Sequence, residues 1–295
     1  MLQFLDAYRQ KIDQELRKAI ELLGEPSRLR DACTYACLNG GKRLRPILVL
    51  LVAEALPMRR DVLGAALSVE YFHVASLIAD DLPCMDNDDV RRGKPSLHRV
   101  FEESVAILAS YTLIAAGYGG IYEMARMLKE REPSKAAQID ARAILCLEAV
   151  TRCAGLRGAT HGQFLDLFEA HANYDSIREV IEKKTATLFE ISFLLGWLFG
   201  GGSEERLDEV RRCAHHLGVA FQIADDLQDL LQDDKPANGA NLARILGQEK
   251  AGMLFREEFS GFVSSLKALG LWTPPFQEIC KALEADGSRV LQTPR

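Results

Sequence analysis

The sequence lacks the features that mark disulfide-stabilised, nucleic-acid-binding and membrane-spanning proteins. Its seven cysteines are odd in number and form no Cys-x-x-Cys pair, which argues against a disulfide framework or a zinc site. No block rich in lysine or arginine occurs and the net charge is −6, so we expect no nucleic-acid partner. The longest apolar run, 191–202, is interrupted by glycines and too short for a bilayer, and Asp6 comes too early for a signal peptide. These absences predict a cytoplasmic protein with no membrane span.

Strand-like patterning is also missing. No segment alternates with the period of a strand, and valine and isoleucine never cluster between turns. Apolar residues instead recur at helical spacing, and with 48% hydrophobic residues the chain can bury a substantial core. No linker is long enough to separate two domains. The sequence therefore predicts an all-α fold, a single domain over residues 1–295 built as one large bundle of about ten or more helices.

What the chain does have is a cluster of carboxylates at the end of an apolar helix. Asp80 and Asp81 end that helix, and Asp86, Arg91 and Arg92 follow shortly after. Adjacent buried aspartates are costly unless a basic partner or a divalent cation neutralises them. Magnesium takes few carboxylates and fills its shell with water and phosphate oxygens, which arginine also binds. A surface network of ion pairs is the alternative interpretation of this stretch.

A second carboxylate cluster repeats the arrangement far along the chain. Asp225 and Asp229 are four residues apart, so they share a helix face on which their charges repel unless a cation binds. The residues before them are mostly apolar, so this acidic face also ends a buried helix. Two such helices facing each other across a cavity would hold several magnesium ions and a diphosphate.

A basic turn precedes the first cluster. Gly40 and Gly41 free the backbone to turn, and Pro46 suits the first turn of the following helix. Lys42 and Arg45 therefore lie near a helix N-terminus, where backbone N–H groups favour an anion. The pattern indicates a phosphate cradle, with a solvated basic turn as the alternative.

Three further polar residues lie on apolar helices. His73 is two turns before Asp80 on nearly the same face, which favours a substrate contact over a satisfied core histidine. Gln163 and Asp166 are three residues apart and share a face. They could support the ligands of a site, or simply form hydrogen bonds at a helix surface.

Taken in order, these residues resemble a known family. The pieces are Gly-Gly-Lys-Arg-Leu-Arg-Pro at 40–46, the first aspartate motif with Arg-Arg-Gly-Lys-Pro at 91–95, Lys184-Thr185, and Phe-Gln-Ile-Ala-Asp-Asp-Leu-Gln-Asp at 221–229. The chain resembles the trans-isoprenyl diphosphate synthases (polyprenyl synthetases), which join isopentenyl diphosphate to an allylic diphosphate. The spacer between the first two and the third aspartate resembles bacterial and plastid members. The resemblance implies an isoprenoid-synthase bundle around a central cavity, typically a homodimer.

The resemblance also implies a role for individual residues. Isopentenyl diphosphate would be held by Lys42, Arg45, His73 and Arg92. Magnesium, as three ions with Mn²⁺ able to substitute, would be carried by Asp80, Asp81, Asp86, Asp225, Asp226 and Asp229. The allylic diphosphate would be gripped by Arg91 and Lys184, and the allylic carbocation stabilised by the Lys184 carbonyl, the Thr185 hydroxyl and the Gln222 amide oxygen. The residues expected to act in catalysis are thus Asp80, Asp81, Arg91, Lys184, Thr185, Gln222 and Asp225.

Two positions depart from the family pattern. The lysine that usually follows the second motif falls on Gly239, so affinity for the allylic substrate is open, with Lys235 as a substitute from the loop. The usual Gly-Asp after the first motif is Ser110-Tyr111, which we expect to be structural.

Product length is expected to depend on the helix that carries the first motif. Ala75 and Ser76 lie about one turn below Asp80, and bacterial fifteen-carbon synthases usually have an aromatic ring at the position of Ala75. An alanine leaves the pocket open down to Phe72, so we expect geranylgeranyl diphosphate, with farnesyl diphosphate as the alternative.

Two other functions remain as rivals. A class I terpene cyclase needs no second diphosphate cradle, and its second metal site usually reads Asn/Asp-x-x-Ser/Thr-x-x-x-Glu. A non-catalytic regulatory subunit generally loses one aspartate motif, whereas this chain keeps both.

Overall fold

Helices make up nearly all of the protein in its computed structural model, which describes residues 5–169, 173–230 and 241–291. In chain order they are α1 (Leu5–Glu21), α2 (Arg28–Cys37), α3 (Leu44–Ala55), α4 (Leu63–Asp80), α5 (Leu97–Phe101), α6 (Glu103–Arg131), α7 (Ala136–Ala154), α8 (Ala159–Phe168), α9 (Tyr174–Val180), α10 (Thr187–Gly200), α11 (Leu207–Asp229), α12 (Leu242–Leu246), α13 (Gln248–Leu269) and α14 (Pro274–Leu291). Short 3₁₀ turns at Pro133–Lys135 and Glu204–Arg206 precede α7 and α11, and a π-helical segment, Ile181–Ala186, joins α9 to α10. The predicted all-α fold is confirmed. The single domain over 1–295 stays a prediction.

Helix α10 lies at the centre of the bundle because almost every one of its residues is apolar. It packs against α3, α4, α7 and α11, and its phenylalanines at 189, 193 and 199 are fully buried. A helix that is hydrophobic all round belongs in a core. Gly196 lets α3 come close, since a Cβ there would lie 2.6 Å from the Val49 carbonyl oxygen.

The predicted aspartates are carried by two helices that pack against this central helix. Helix α4 packs against α3, α6 and α10 and ends at Asp80, and α11 packs against α10, α13 and the π-helical segment and ends at Asp229. Their buried faces fix where the carboxylates emerge. The acidic residues thus come at the C-terminal ends of two core helices, as the sequence predicts.

A small hairpin follows α4, which the sequence did not predict. Its strands β1 (Val90–Arg91) and β2 (Lys94–Pro95) pair antiparallel, with Arg92 and Gly93 in the turn at φ 55° and 76°. Two-residue strands are too short for their alternation to show in the sequence. The hairpin turns the chain so that neighbouring arginines are held apart in different surroundings.

Two pairs of consecutive helices are each divided by one residue. Glu102, with φ of 74°, separates α5 from α6, and Gly247, with φ of 78°, separates α12 from α13. One residue with positive φ ends a helix but leaves the spacing of apolar residues almost unchanged. The periodicity of the sequence therefore does not reveal either break.

Helix α6 is unusual for its apolar outer face. It is the one helix in the described ranges that is long and apolar enough, by length and composition, to cross a bilayer, and 39% of that apolar window is buried. Its inner face packs on α4. The exposed residues between 104 and 122 carry no charge: Ser104, Ile107, Leu108, Tyr111, Ile114, Ala115, Gly119 and Tyr122.

Candidate active site

The basic turn between α2 and α3 is shaped by left-handed backbone. Gly40 and Gly41 have φ of 81° and 119°. The Arg92 guanidinium lies directly over Gly41, where a Cβ would come within 2.5 Å of Cζ, and Arg92 Nη1 donates to the Gly40 carbonyl. The hairpin after α4 is therefore joined to the turn before α3. The Arg92 guanidinium thus reaches the residues just before Lys42, as the prediction of a phosphate cradle requires.

Arg45 and His73 form the floor of this cradle. The Arg45 guanidinium stacks on the Phe189 ring, 4.6 Å from its centroid, and Nη1 is 3.5 Å from His73 Nε2. Burial lowers the pKa of Arg45 to about 10 and that of His73 well below its usual value, so arginine is charged and histidine neutral at pH 7. Arg45 Nε and His73 Nδ1 are buried without a partner among the described residues. Buried polar atoms of this kind indicate a place for a ligand.

The first aspartate motif caps α4 with a carboxylate that lacks a full counter-charge. Asp80 ends the helix, and its carbonyl accepts a 2.9 Å hydrogen bond from the Asp86 N–H. Burial raises the pKa of Asp80 to about 7, Lys184 opposes the rise, and Asp86 adds to it. A cation between these carboxylates would remove that cost.

Asp81 binds Arg91 of the hairpin. Arg91 Nε donates to Asp81 Oδ1 at 2.8 Å, and Arg91 Nη2 donates to Asp88 Oδ2 at 2.9 Å. Burial raises the pKa of Asp81, although the Arg91 hydrogen bonds act in the opposite direction. The magnesium role of Asp81 and the diphosphate role of Arg91 stay predictions.

Helix α8 supports the site from the other side. Lys184 Nζ lies 2.6 Å from Asp166 Oδ2 and 3.9 Å from Asp86 Oδ2, and Gln163 Nε2 donates to Asp86 Oδ1 at 3.1 Å. Gly162 lets α8 approach, because a Cβ there would lie 2.3 Å from the Lys184 backbone nitrogen. Of the two alternatives for Gln163 and Asp166, the structure favours support of the site.

A chain of hydrogen bonds joins the π-helical segment to α11. The Thr185 hydroxyl donates to Gln222 Oε1 at 2.9 Å, and Gln222 Nε2 donates to Asp226 Oδ1 at 2.9 Å. Asp226 Oδ2 accepts from the Leu242 N–H at 2.8 Å. Both oxygens of Asp226 are thus engaged inside the protein, and its metal role stays a prediction.

Asp225 connects the second cluster to the cradle. Burial raises its pKa to about 6, the charges of Lys42 and Arg45 oppose the rise, and Asp229 adds to it. Asp229 itself is exposed at the end of α11. The second aspartate cluster and the basic turn therefore share one electrostatic environment.

These carboxylates suit magnesium held jointly with a substrate. Within the described ranges, no three His, Cys, Asp or Glu side chains form a ready-made metal cage. Magnesium binds through one or two carboxylates and keeps water and phosphate oxygens in its shell, so it needs no such cage. The raised pKa of both Asp80 and Asp225 fits a bound cation, because a metal favours the ionised carboxylate.

Comparison with known proteins identifies the family. A family model described as polyprenyl synthetase matches residues 26–242, which is most of the chain. The chain belongs to the polyprenyl synthetase family. The resemblance seen in the sequence is thereby confirmed.

Relatives of this polyprenyl synthetase include plant and bacterial enzymes. It is 36% identical over 256 residues to geranylgeranyl pyrophosphate synthase 7 of Arabidopsis thaliana, covering 81% of this chain and 70% of that one. It is 33% identical over 297 residues to heterodimeric geranylgeranyl pyrophosphate synthase large subunit 2 of the same plant, covering 97% and 72%. An FPP/GFPP synthase from Zymomonas mobilis has a similar structure, with a TM-score of 0.82 at 30% identity over 96% of this chain and 100% of that one.

The departures from the family pattern have different outcomes. Ser110 is buried in α6 and its hydroxyl donates to the Ala75 carbonyl at 3.0 Å, whereas the Tyr111 side chain is 64% exposed. Ser110 thus makes a structural contact with the helix of the first motif. Gly239 and Lys235 lie outside the described residues.

The predicted chain-length residues lie where α4 meets α6. Ala75 is buried, and the Ser76 hydroxyl donates to the His73 carbonyl at 2.9 Å. The Phe72 ring packs on Gly117, where a Cβ would lie 2.6 Å from the ring, and 5.1 Å from the Tyr118 ring centroid. The depth of the predicted pocket would therefore depend on α6 as well as α4.

Three residues of the site had no role in the sequence analysis. Phe189 stacks on Arg45, and Glu70 and Asp13 bind Arg43 behind the basic turn. Glu70 had a detectable signal, because it is the one charged residue inside the apolar helix α4 before Asp80. Phe189 is one of many apolar residues of α10, and nothing in the sequence distinguishes it.

Proposed function

We propose that this polyprenyl synthetase is a trans-prenyltransferase that condenses isopentenyl diphosphate with an allylic diphosphate to give a longer trans-polyprenyl diphosphate. The names of its relatives, geranylgeranyl pyrophosphate synthase and geranyltransferase, support this reaction. The observation that carries the proposal is that Arg45 and His73 present unpartnered buried nitrogens beside the carboxylate of Asp225. A cationic anion site next to buried acids suits a diphosphate bound near a divalent metal.

The metal would be held at both aspartate clusters. Three Mg²⁺ ions would be bound between the two clusters. Their ligands would be Asp80, Asp86 and Asp225, with Asp81, Asp226 and Asp229 as further ligands. When bound, Mg²⁺ neutralises the charge that develops on the departing diphosphate. Lys184, which already pairs with Asp166 and Asp86, would bind an oxygen of the same diphosphate.

The chain's own side chains would guide the carbon chemistry. The allylic C–O bond breaks, and its electron pair stays on the diphosphate. The resulting cation faces the hydroxyl oxygen of Thr185 and the amide oxygen of Gln222, which their mutual hydrogen bond orients. Lys42, Arg45, His73 and Arg92 hold isopentenyl diphosphate so that its double bond attacks the cation, and the released diphosphate accepts the proton that is lost.

One incubation tests the reaction. Purified protein with isopentenyl diphosphate, one allylic diphosphate and Mg²⁺ should consume both substrates and release one diphosphate for each condensation. A terpene cyclase would consume the allylic substrate alone, and a regulatory subunit would consume neither. Either of these results would overturn the proposal.

We propose geranylgeranyl diphosphate as the main product. Ala75 carries no ring that would close the pocket, and the Phe72 ring is drawn against Gly117 of α6. The growing tail would therefore pass Ala75 and stop near Phe72 and Tyr118. Farnesyl diphosphate is the alternative product, and sizing the products of the incubation decides between them.

Two substitutions test the floor of the pocket. Ala75→Tyr should shorten the product to about fifteen carbons, and Phe72→Ala should lengthen it by about one isoprene unit, since the two residues lie about one turn apart on α4. Leu67→Ala, in the same helix but below this level, is the matched control. Unchanged product lengths in both variants would show that the floor lies elsewhere.

We also propose that the protein is a homodimer that assembles through the outer face of α6. The exposed surface from Ser104 to Tyr122 is uncharged over about five helical turns, and Ile144 and Leu147 extend it onto α7. Large exposed apolar patches mark protein interfaces, and a second copy supplies the same patch about a two-fold axis.

A further inference from the structure

A buried ion-pair cluster lies directly behind the basic turn. Arg43 has left-handed backbone, with φ of 52°, and its side chain is only 1% exposed. Its Nε donates to Asp13 Oδ1 of α1 at 2.8 Å, its Nη1 binds Glu70 Oε1 of α4, and its Nη2 donates to the Cys37 carbonyl at the end of α2. One guanidinium therefore ties three helices to the turn that begins α3.

The cluster is continuous with the cradle for isopentenyl diphosphate. Lys42 precedes Arg43 and Arg45 follows two residues later, so the contacts of Arg43 restrain the backbone from which both cations extend. Glu70 lies three residues, about one turn, before His73 on α4. The Arg43–Glu70 pair thus fixes the turn carrying the cations relative to the helix carrying the histidine.

Glu70 also supplies charge to the cradle. Burial lowers the pKa of Arg45, and the charge of Glu70 is the largest of the charges that oppose this. Burial lowers the pKa of Arg92, and Glu70 again opposes it while the charge of Arg43 adds to it. Glu70 Oε2 has no hydrogen-bond partner among the described residues, so the carboxylate can attract Arg45 and Arg92 as well as Arg43. This attraction holds the three arginines near one another before the diphosphate binds.

We propose that Arg43 and Glu70 are positioning residues, which set the geometry of the cradle for the non-allylic diphosphate without touching it. The inference rests on the proposed function, since it assigns this cradle to isopentenyl diphosphate. A buried ion pair that only stabilises the fold would behave differently. Its removal would lower the stability of the fold and change the KM values for the two substrates equally.

A second pair in the same protein provides a matched control. Arg60 and Glu132 join the start of α4 to the end of α6 through two 2.7 Å hydrogen bonds, and Arg60 Nη1 donates to the Phe199 carbonyl at 3.2 Å. The Arg60 side chain is nearly as buried as Arg43. This pair also joins helices through a buried arginine, with a carboxylate that is 23% exposed where Glu70 is 1% exposed, and it lies at the opposite end of α4 from Asp80.

The test replaces each pair by apolar residues so that net charge is unchanged. Arg43→Met/Glu70→Leu should raise the KM for isopentenyl diphosphate about tenfold, while kcat and the KM for the allylic substrate change less than about threefold. Arg60→Met/Glu132→Leu should change neither KM by more than about twofold. If both KM values rise equally, or if the control variant has the same effect, Arg43 and Glu70 have only a structural role and the proposal is wrong.

A milder variant and a binding measurement keep the test decisive. Asp13→Asn removes one tie from the half-exposed end of the cluster, and should raise the same KM about twofold to threefold. Calorimetry of isopentenyl diphosphate without allylic substrate measures binding in the absence of turnover. If the wild type binds it but makes no product, the proposed function fails while the cradle stands. If the double variant binds as tightly as the wild type, the positioning role fails.

Discussion

At the scale of single residues, burial raises the pKa of Asp80 to about 7 and that of Asp225 to about 6, near the C-terminal ends of two buried helices. Burial also raises the pKa of their neighbours, Asp81 and Asp226, so the pKa alone does not separate the members of each pair. Asp81 and Asp226 differ in that they accept hydrogen bonds from Arg91 and from Gln222 with the Leu242 N–H. We therefore expect the first aspartate of each pair to matter most.

Asp80→Asn and Asp225→Asn should each lower turnover by at least about a hundredfold, because each removes a carboxylate charge that would hold Mg²⁺ beside the diphosphate. Helicity measured by circular dichroism should be unchanged. Asp208→Asn, at the exposed start of α11, is the control and should keep the wild-type rate. Wild-type turnover in either test variant at saturating Mg²⁺ would contradict the assignment.

The adjacent arginines of the hairpin should affect different substrates. Arg92 lies over Gly41 in the basic turn, whereas Arg91 binds Asp81 and Asp88 beside the first motif. Arg92→Ala should therefore raise the KM for isopentenyl diphosphate about tenfold or more, with a smaller change for the allylic substrate. Arg91→Ala should do the reverse. Steady-state kinetics with each substrate varied in turn measures both, and the opposite ordering would exchange the two roles.

At the scale of secondary-structure elements, the π-helical segment orients the side chains of Lys184 and Thr185. A π-helical turn inserts an extra residue and is frequent at functional sites. Here it lies against α8 on one side and α11 on the other, so that Lys184 reaches Asp166 while Thr185 reaches Gln222. The contact with α8 depends on Gly162.

Gly162→Ala should disturb this element, because the added Cβ would lie 2.3 Å from the Lys184 backbone nitrogen. We expect a loss of stability of about 1–3 kcal/mol from overpacking and a rise in the KM for the allylic substrate. Gly24→Ala, where a Cβ meets nothing within 4 Å, is the control. Chemical denaturation and kinetics measure the two effects, and a silent Gly162 variant would show that α8 can shift freely.

The sequence predicted the helices better than the breaks and turns between them. Helical spacing located the core helices, and carboxylates after apolar runs located both aspartate clusters. The breaks at Glu102 and Gly247, the hairpin and the π-helical turn depend on single backbone angles, which composition does not reveal. Nor could spacing show that Arg91 would pair with Asp81, because the hairpin between them had not been predicted.

At the scale of the whole molecule, the outer face of α6 should control assembly. Tyr111→Glu combined with Ile114→Glu places like charges in the middle of the proposed dimer interface, where burial would leave them without counter-ions. Sedimentation should then show about half the wild-type mass, from dimer to monomer. Glu130→Lys, an exposed residue in the last turn of α6, should leave the mass unchanged. A monomeric wild type would refute the interface.

Acid should weaken the link between α4 and α6. Hydrogen bonds from Arg60 lower the pKa of Glu132 to about 2, so the carboxylate stabilises the fold above its unfolded pKa and loses this effect as the pH falls toward 2. Glu132→Gln should lower the free energy of unfolding by about 1 kcal/mol at pH 7, since the pair is partly solvated. Urea titrations at several pH values should show this difference shrinking below about pH 5. A difference independent of pH would contradict the ion-pair explanation.

The guanidinium of Arg92 resting on Gly41 has a consequence for how such sequences diverge. Gly40 has a positive φ but open space around it, so an asparagine can replace it at modest cost. At Gly41 an added Cβ would lie 2.5 Å from Arg92 Cζ, so a side chain there must push the guanidinium aside, on a backbone whose φ of 119° favours glycine. A shorter residue at 92 would make room for that side chain but would remove a cation from the site. We therefore expect substitutions at 41 and at 92, which are far apart in the sequence, to occur together in related chains.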